Sequence, residues 1–313
     1  MPLSPRLVVL LTTPPLLWAG NAIVGRLTVP HVPPLALNAM RWVLVAVLLS
    51  VLGWRALATP GRRLDIARRW PYFAALGLLG TGAYNALQYM ALVTSAPINV
   101  SLIAASMPVW MMLIGALFFD ERPHRRQFAG ALCSLLGVAL VLARGEPAAL
   151  ADVRFVPGDL LMLLAAACWS GYSWLLVRPP SHMLGAQRPQ IDQPEGPRPW
   201  NWAEFLLVQA LFGVVWAGAA AGVEHQLIGR EIEWQPSLVL ALVYLAVGPS
   251  IIAYWFWGAG VALGGPQLAA FFSNLTPLFV ALLSTLLLGD APHGYHGAAF
   301  ALIVAGIWLS SRR

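Results

Sequence analysis

The chain has 313 residues, 59% of them hydrophobic and only 10% charged, with a mean hydropathy of +0.71, whereas a soluble domain carries roughly 45–50% apolar and about 25% charged residues. Water is thereby excluded as the main solvent, and long apolar runs with short polar punctuation read as one membrane domain. All basic residues are Arg, and although the net charge is +6, they cluster between apolar runs, which argues for fixing orientation in a membrane and against a nucleic-acid partner.

A helix needs about 20 mainly apolar residues to cross the hydrocarbon core, and runs of that length are too long for barrel strands. In chain order the predicted spans are 7–26, 34–53, 71–93, 97–119, 127–144, 158–177, 203–222, 237–260, 265–288 and 295–311. The first run also fits a signal peptide, with Ala19 and Gly20 near its end. A similar Trp-containing segment at Leu160 to Val177, where no signal peptide can lie, favours a first span. Placing loops on alternate sides puts fourteen Arg (Arg6, Arg55, Arg62, Arg63, Arg68, Arg69, Arg122, Arg125, Arg126, Arg178, Arg188, Arg198, Arg312 and Arg313) on the side of the N-terminus. Four (Arg26, Arg144, Arg154 and Arg230) lie opposite, so both termini are expected in the cytoplasm.

The segment 178–200, rich in Pro, Gln and Gly, is the longest loop and reads as a cytoplasmic linker. It separates residues 1–177, holding spans one to six, from residues 201–313, holding spans seven to ten. The chain also matches itself. A shift of 169 residues superposes Pro97 on Pro266, Pro108 on Pro277, Glu121 on Asp290, Pro123 on Pro292, His124 on His293 and Gly137 on Gly306. A shift of 151 lays Trp18 and Gly20 on Trp169 and Gly171. Five spans per half is an odd number, so the second half is expected to enter the membrane from the opposite side. The predicted fold is therefore all-α and integral to the membrane, with ten transmembrane helices arranged as two inverted five-helix repeats around a central cavity.

Polar and aromatic residues in mid-span are costly unless they face a partner or a wet cavity, so they are the candidate substrate-binding residues. These are Trp18 and Asn21 on the first span, Tyr84, Asn85 and Gln88 on the third (beside Tyr89), and Asn99, Ser106 and Trp110 on the fourth. The second half adds Trp169 and Tyr172 (beside Ser173), Tyr254 and Trp257 (with Trp255 between them), and Asn274 on a stripe with Gln267 and Phe271. Packing and interhelical hydrogen bonding are the bland roles for the same residues. Hydroxyls, amides and aromatic faces together suit an amphipathic solute. Pro108 and Pro277, at equivalent depths, are candidate hinges or static kinks.

Arg41 is the charged residue well inside a span. It is expected to be tied to neighbouring carbonyls, to snorkel outward, or to attract a substrate carboxylate. The acidic residues Glu121, Asp159, Glu204 and Asp290 sit at span ends, so no buried carboxylate relay is expected, which favours a facilitator or an exchanger. Cys133 and Cys168 lie inside apolar runs and read as packing residues. No Asp-rich magnesium motif, His-Glu-x-x-His run or Gly-x-Ser-x-Gly elbow occurs, which leaves a membrane enzyme as a remote alternative and calls for no cofactor and no metal.

Trp18-Ala-Gly-Asn21 with Arg26, Pro33-Pro34 followed by Arg41, and the run from Ala91 through Pro108 to Asp120-Glu121-Arg122 and Gly137 resemble the EamA-like ten-helix carriers of the drug/metabolite transporter superfamily. The pattern returns around Pro277, Asp290 and Gly306, with Gly289-Asp290 replacing Asp120-Glu121. The resemblance implies a bacterial inner-membrane carrier that exports amino acids, including aromatic ones, or related metabolites by alternating access. Export of drugs, nucleobases or other planar metabolites is the alternative. The implied partners are a small-molecule substrate and the lipid bilayer.

Overall fold

The computed structural model describes residues 3–95, 100, 103–143, 145–146, 148, 156–183, 200–288 and 294–311. Every regular element among them is helical. The first half comprises α1 (Pro5–Thr28), α2 (Pro34–Gly53), the short α3 (Arg55–Ala58) and α4 (Pro60–Arg68), then α5 (Trp70–Leu76), a π-helical stretch Gly77–Ala83 and α6 (Tyr84–Thr94) in one rod. After them come α7 (Met107–Phe118) and α8 (Arg125–Leu142). The second half comprises α9 (Pro157–Val177), α10 (Trp202–Ile228), a rod of α11 (Pro236–Leu245), a second π-helical stretch Ala246–Ile252 and α12 (Ala253–Gly264), then α13 (Pro266–Ser273), α14 (Leu275–Leu288) and α15 (Gly294–Ser311).

Local chemistry explains the boundaries. Pro opens α1, α2, α4, α9, α11 and α13, where its missing N–H has no ladder partner to lose. The α9 and α10 starts are capped by their own acids: Asp159 accepts from Val156 N at 2.8 Å, and Asn201 and Glu204 form a reciprocal box. The α10 helix runs beyond the predicted end at 222 to Ile228, where Gly229 in the left-handed conformation stops it, and it carries Glu224 as a buried capping group. Its carboxylate accepts the backbone N–H groups of Leu35 (3.0 Å) and Ala36 (2.9 Å), neutralising the open start of α2. The predicted fourth and ninth spans are each interrupted, at Ala105–Ser106 and at Asn274. In both, the preceding helix stops at the residue four before a proline, Ala104 before Pro108 and Ser273 before Pro277, where the ring removes a hydrogen bond and crowds the carbonyl.

The long helices of the two halves correspond, whereas α3 and α4 have no counterpart among the described residues. The π-helical stretches begin and end 169 positions apart, as do α8 and α15. The pairings correspond too: α1 packs on α12 and α14, while its counterpart α9 packs on α6 and α7. The remaining pairs are self-matching, α2 on α10 and α8 on α15. Both are antiparallel. On α2, residues 35 and 36 meet Glu224, and Gly53 meets Ala203; Gly130 on α8 meets Gly306, and Gly137 meets Ala299.

The chain is a membrane protein. Among the described residues α1, α2, α9, α10 and the rod Pro236–Gly264 are each long and apolar enough to cross a bilayer. Large apolar side chains point outward, Leu227 80% exposed and Phe118 76%, while Asn38, Arg41, Ser250 and Asn274 are each fully buried. That is the inverse of a soluble fold, as expected where lipid is the solvent. Close approach replaces hydrophobic driving force between helices. A Cβ on Gly306 would stand 2.6 Å from the Gly130 carbonyl, and one on Gly137 would stand 2.8 Å from that of Ala299. Replacing Gly306 with Leu is expected to cost about 1–3 kcal/mol through overpacking and to lower the melting temperature of the detergent-solubilised protein. Gly218→Ala, where a Cβ meets nothing within 4 Å, should leave it unchanged or raise it.

Candidate functional site

Arg41 stands two turns into α2, its depth set by the Glu224 cap at the helix start. It does not snorkel, and the carbonyl oxygens it bonds to are those of side-chain amides, not of the backbone. The guanidinium is fully buried, and Nε donates to Ser250 Oγ at 2.5 Å. Nη1 is shared among Asn21 Oδ1 (3.2 Å), Asn85 Oδ1 (3.0 Å) and Tyr89 OH (2.8 Å). Nη2 is buried without a partner. The cage continues outward, with Asn21 Nδ2 donating to Gln88 Oε1 at 3.1 Å and Asn85 Nδ2 to Tyr254 OH at 3.0 Å. No carboxylate pairs with Arg41 among the described residues. Glu121 pairs with Arg178 at 2.7 Å, Asp159 accepts from Ser95, and Glu204 lies 3.6 Å from Arg62, each at a helix end. The cation is therefore held by neutral dipoles contributed by both halves.

The two π-helical stretches form the floor of this cage. A π turn widens the helix and displaces carbonyls from the regular ladder. The carbonyls of Gly80 and Pro249, equivalent under the 169-residue shift, are each taken by a side chain of the opposite half. Tyr254 OH donates to Gly80 O, and Trp18 Nε1 donates to Pro249 O at 3.2 Å. Asn38 Nδ2 donates to Thr81 O at 3.1 Å. Glycine at 80 is required because the Tyr172 ring lies 2.6 Å from where a Cβ would stand.

Beside the cage lies an aromatic cluster centred on Trp169. Its ring meets those of Trp18 (5.1 Å between centroids), Tyr84 (4.8 Å), Tyr172 (5.0 Å), Tyr254 (5.1 Å) and Trp257 (5.5 Å). Each such pair adds about 0.5–1.5 kcal/mol beyond burial. Trp257 Nε1 is fixed by Ser173 Oγ at 3.0 Å, whereas Trp169 Nε1 is buried with no partner. In the second half, Tyr172 OH donates to Gln209 Oε1 at 3.1 Å. This neutral pair joins α9 to α10 as Asn21 and Arg41 join α1 to α2.

The structure thus brings together Trp18, Asn21, Arg41, Tyr84, Asn85, Gln88, Trp169, Tyr172, Tyr254 and Trp257. It does not gather the other predicted residues. Ser106 Oγ is spent on its own helix, donating to Ile103 O at 2.6 Å, and Trp110 is half-buried and joins no ring pair among the described residues. Asn274 is fully buried at the α13–α14 break with both amide atoms unpartnered. Trp255 faces outward, stacked on Trp202 at 4.4 Å. Asn99, the acidic corner at Asp290 and linker residues 184–199 lie outside the described residues. Sequence reasoning missed Ser250, Gln209 and the Glu224 cap. Gln209 had a signal, an amide inside the predicted span 203–222, whereas Glu224 lay beyond the end of that span.

Residues 6–143 and 194–312 match the EamA-like transporter family, and the chain belongs to that family, within the drug/metabolite transporter superfamily. Its relatives include the aromatic amino acid exporter YddG of Ancylobacter novellus, 28% identical over 93% of this chain and 92% of that protein. A probable amino-acid metabolite efflux pump of Salmonella typhimurium is 25% identical over 94% of this chain and 90% of its own. An uncharacterized transporter of Archaeoglobus fulgidus is 24% identical over 95% and 94%. A solved crystal structure superposes on 97% of this chain and 94% of its own with a TM-score of 0.66 at 25% identity.

Tyr254→Phe removes the hydroxyl that both donates to Gly80 O and accepts from Asn85, leaving the Asn85 amide at 3.4 Å as the side-chain donor to Gly80 O. The expected cost is about 1–2 kcal/mol, measured as a lowered melting temperature in detergent. An unchanged melting temperature would show that the carbonyl is satisfied elsewhere.

Proposed function

We propose that this protein exports amino acids, aromatic ones included, or closely related metabolites across the bacterial inner membrane by alternating access. The chain crosses the bilayer ten times as two inverted five-helix halves, residues 178–200 form a cytoplasmic linker between the first and second helices of the second half, and both termini are cytoplasmic. The antiparallel packing of equivalent helices supports the inversion: if α2 and α10 correspond and run oppositely, the halves enter from opposite faces. The Arg count on alternate sides supports the orientation.

One observation carries the substrate class. At the junction of the halves, a caged cation with an unpartnered donor adjoins a cluster of Trp and Tyr rings. An amino acid with an aromatic side chain offers a polar end and a ring in that same pairing. The exporters and efflux pumps among the relatives support the reading. Alternating access is carried by the broken helices, with Pro108 and Pro277 as hinges at matching depth.

Counterflow of labelled L-phenylalanine into proteoliposomes tests this. Saturable exchange is expected with the native chain, and Trp169→Ala is expected to reduce it by about tenfold or more, the scale of one lost aromatic platform. Absence of saturable movement of any amino acid, with another metabolite class moved instead, would overturn the substrate assignment.

A further inference from the structure

The unsatisfied hydrogen-bonding groups of the core narrow what the site can hold. Arg41 Nη2 and Trp169 Nε1 are both buried donors without acceptors, as is Trp42 Nε1, whose ring packs on Tyr254 at 5.1 Å. Tyr254 in turn packs on Trp169 at 5.1 Å and bonds to Asn85, which accepts from Arg41. The orphaned donors are thus linked through one residue. A buried donor left unmade costs free energy, and more if charged, so groups of this kind mark where an external acceptor fits.

The acceptor must be supplied by the ligand. None of the described carboxylates bonds to Arg41; Glu121, Asp159, Glu204 and Glu224 are held instead by Arg178, Ser95, Arg62 and the α2 start. The acceptor left over on α2 is Asn38 Oδ1, a neutral amide oxygen. A ligand ammonium entering the cage would meet the Arg41 charge with no anion to offset it, and like charges in low dielectric repel strongly.

We infer that the site recognises a carboxylate through Arg41 and makes no requirement for an α-amino group, so that its ligands are aromatic monocarboxylates, with or without the amine. The carboxylate accepts a charge-assisted hydrogen bond from Arg41 Nη2, and the ring lies against the Trp169 cluster. Aromatic amines without a carboxylate are excluded. This inference rests on the proposed transport reading for the site's location but concerns which end of the solute is read.

The test uses the purified full chain and three probes: L-phenylalanine, 3-phenylpropionate and phenethylamine. Binding is followed in detergent by quenching of the intrinsic Trp emission, and transport by competition with labelled phenylalanine counterflow. 3-Phenylpropionate is expected to bind at least about tenfold more tightly than phenethylamine, the scale of one charge-assisted hydrogen bond. Arg41→Gln is expected to abolish that difference and Arg41→Lys to keep part of it. Should Arg41→Gln fail to fold, the probe series on the native chain decides alone. Phenethylamine binding within about threefold of 3-phenylpropionate would overturn the inference. So would a folded Arg41→Gln protein that still discriminates, or failure of both carboxylates to bind. Arg41-dependent binding of 3-phenylpropionate without phenylalanine transport would uphold this inference while removing the amino-acid export reading. Phenylalanine transport with equal binding of phenethylamine would do the reverse.

Discussion

A guanidinium buried in the middle of an apolar bundle is the constraint on which the rest of this structure depends. The hydrocarbon core charges about 2.5–3.5 kcal/mol for Arg at mid-span by insertion measurements, and the cation here has no described counter-ion. Its four bonds go to Asn21, Asn85, Tyr89 and Ser250, which sit on α1, α6 and the second π-helical stretch. Holding one charge therefore fixes the relative positions of three rods from both halves. A cage of neutral dipoles stabilises a cation only in part, and one guanidinium nitrogen, Nη2, is left without a partner.

The duplicated architecture explains how such a cage is built and why it is one-sided. Equivalent carbonyls at Gly80 and Pro249 receive side chains from the opposite half, so each π-helical stretch is completed by its counterpart's neighbours. The second half meets the first with Tyr172 and Gln209 where the first has Asn21 and Arg41. Similar scaffolds thus present a charge on one side and an aromatic hydroxyl with a neutral amide on the other. A site formed between them can bind the two ends of an amphipathic molecule differently.

Much of this was legible in the sequence. The 169-residue shift seen in Pro, Gly and His positions reappears in the ends of the π-helical stretches and of α8 and α15. Mid-span polar and aromatic residues on α1, α6, α9 and α12 converged because each is costly in lipid unless it finds a partner. What stayed hidden depends on register between distant helices. Ser250 looks like any serine after a Gly-Pro pair until a widened turn aims its hydroxyl at Arg41. Ser106 and Trp110 fit the helical stripe, but the break before Pro108 returns the serine to its own backbone. Glu224 lay beyond the predicted end of its span, where a buried carboxylate reads as loop unless the start of another helix is known to meet it.

An experimentally determined structure of the chain with L-phenylalanine bound tests the role of Arg41 most directly. The expected result is ligand density at the junction of the halves, with carboxylate oxygens within hydrogen-bonding distance of Arg41 Nη2 and the ring against Trp169. Ligand density elsewhere, or Nη2 bonded to a protein group with the ligand in place, would contradict it.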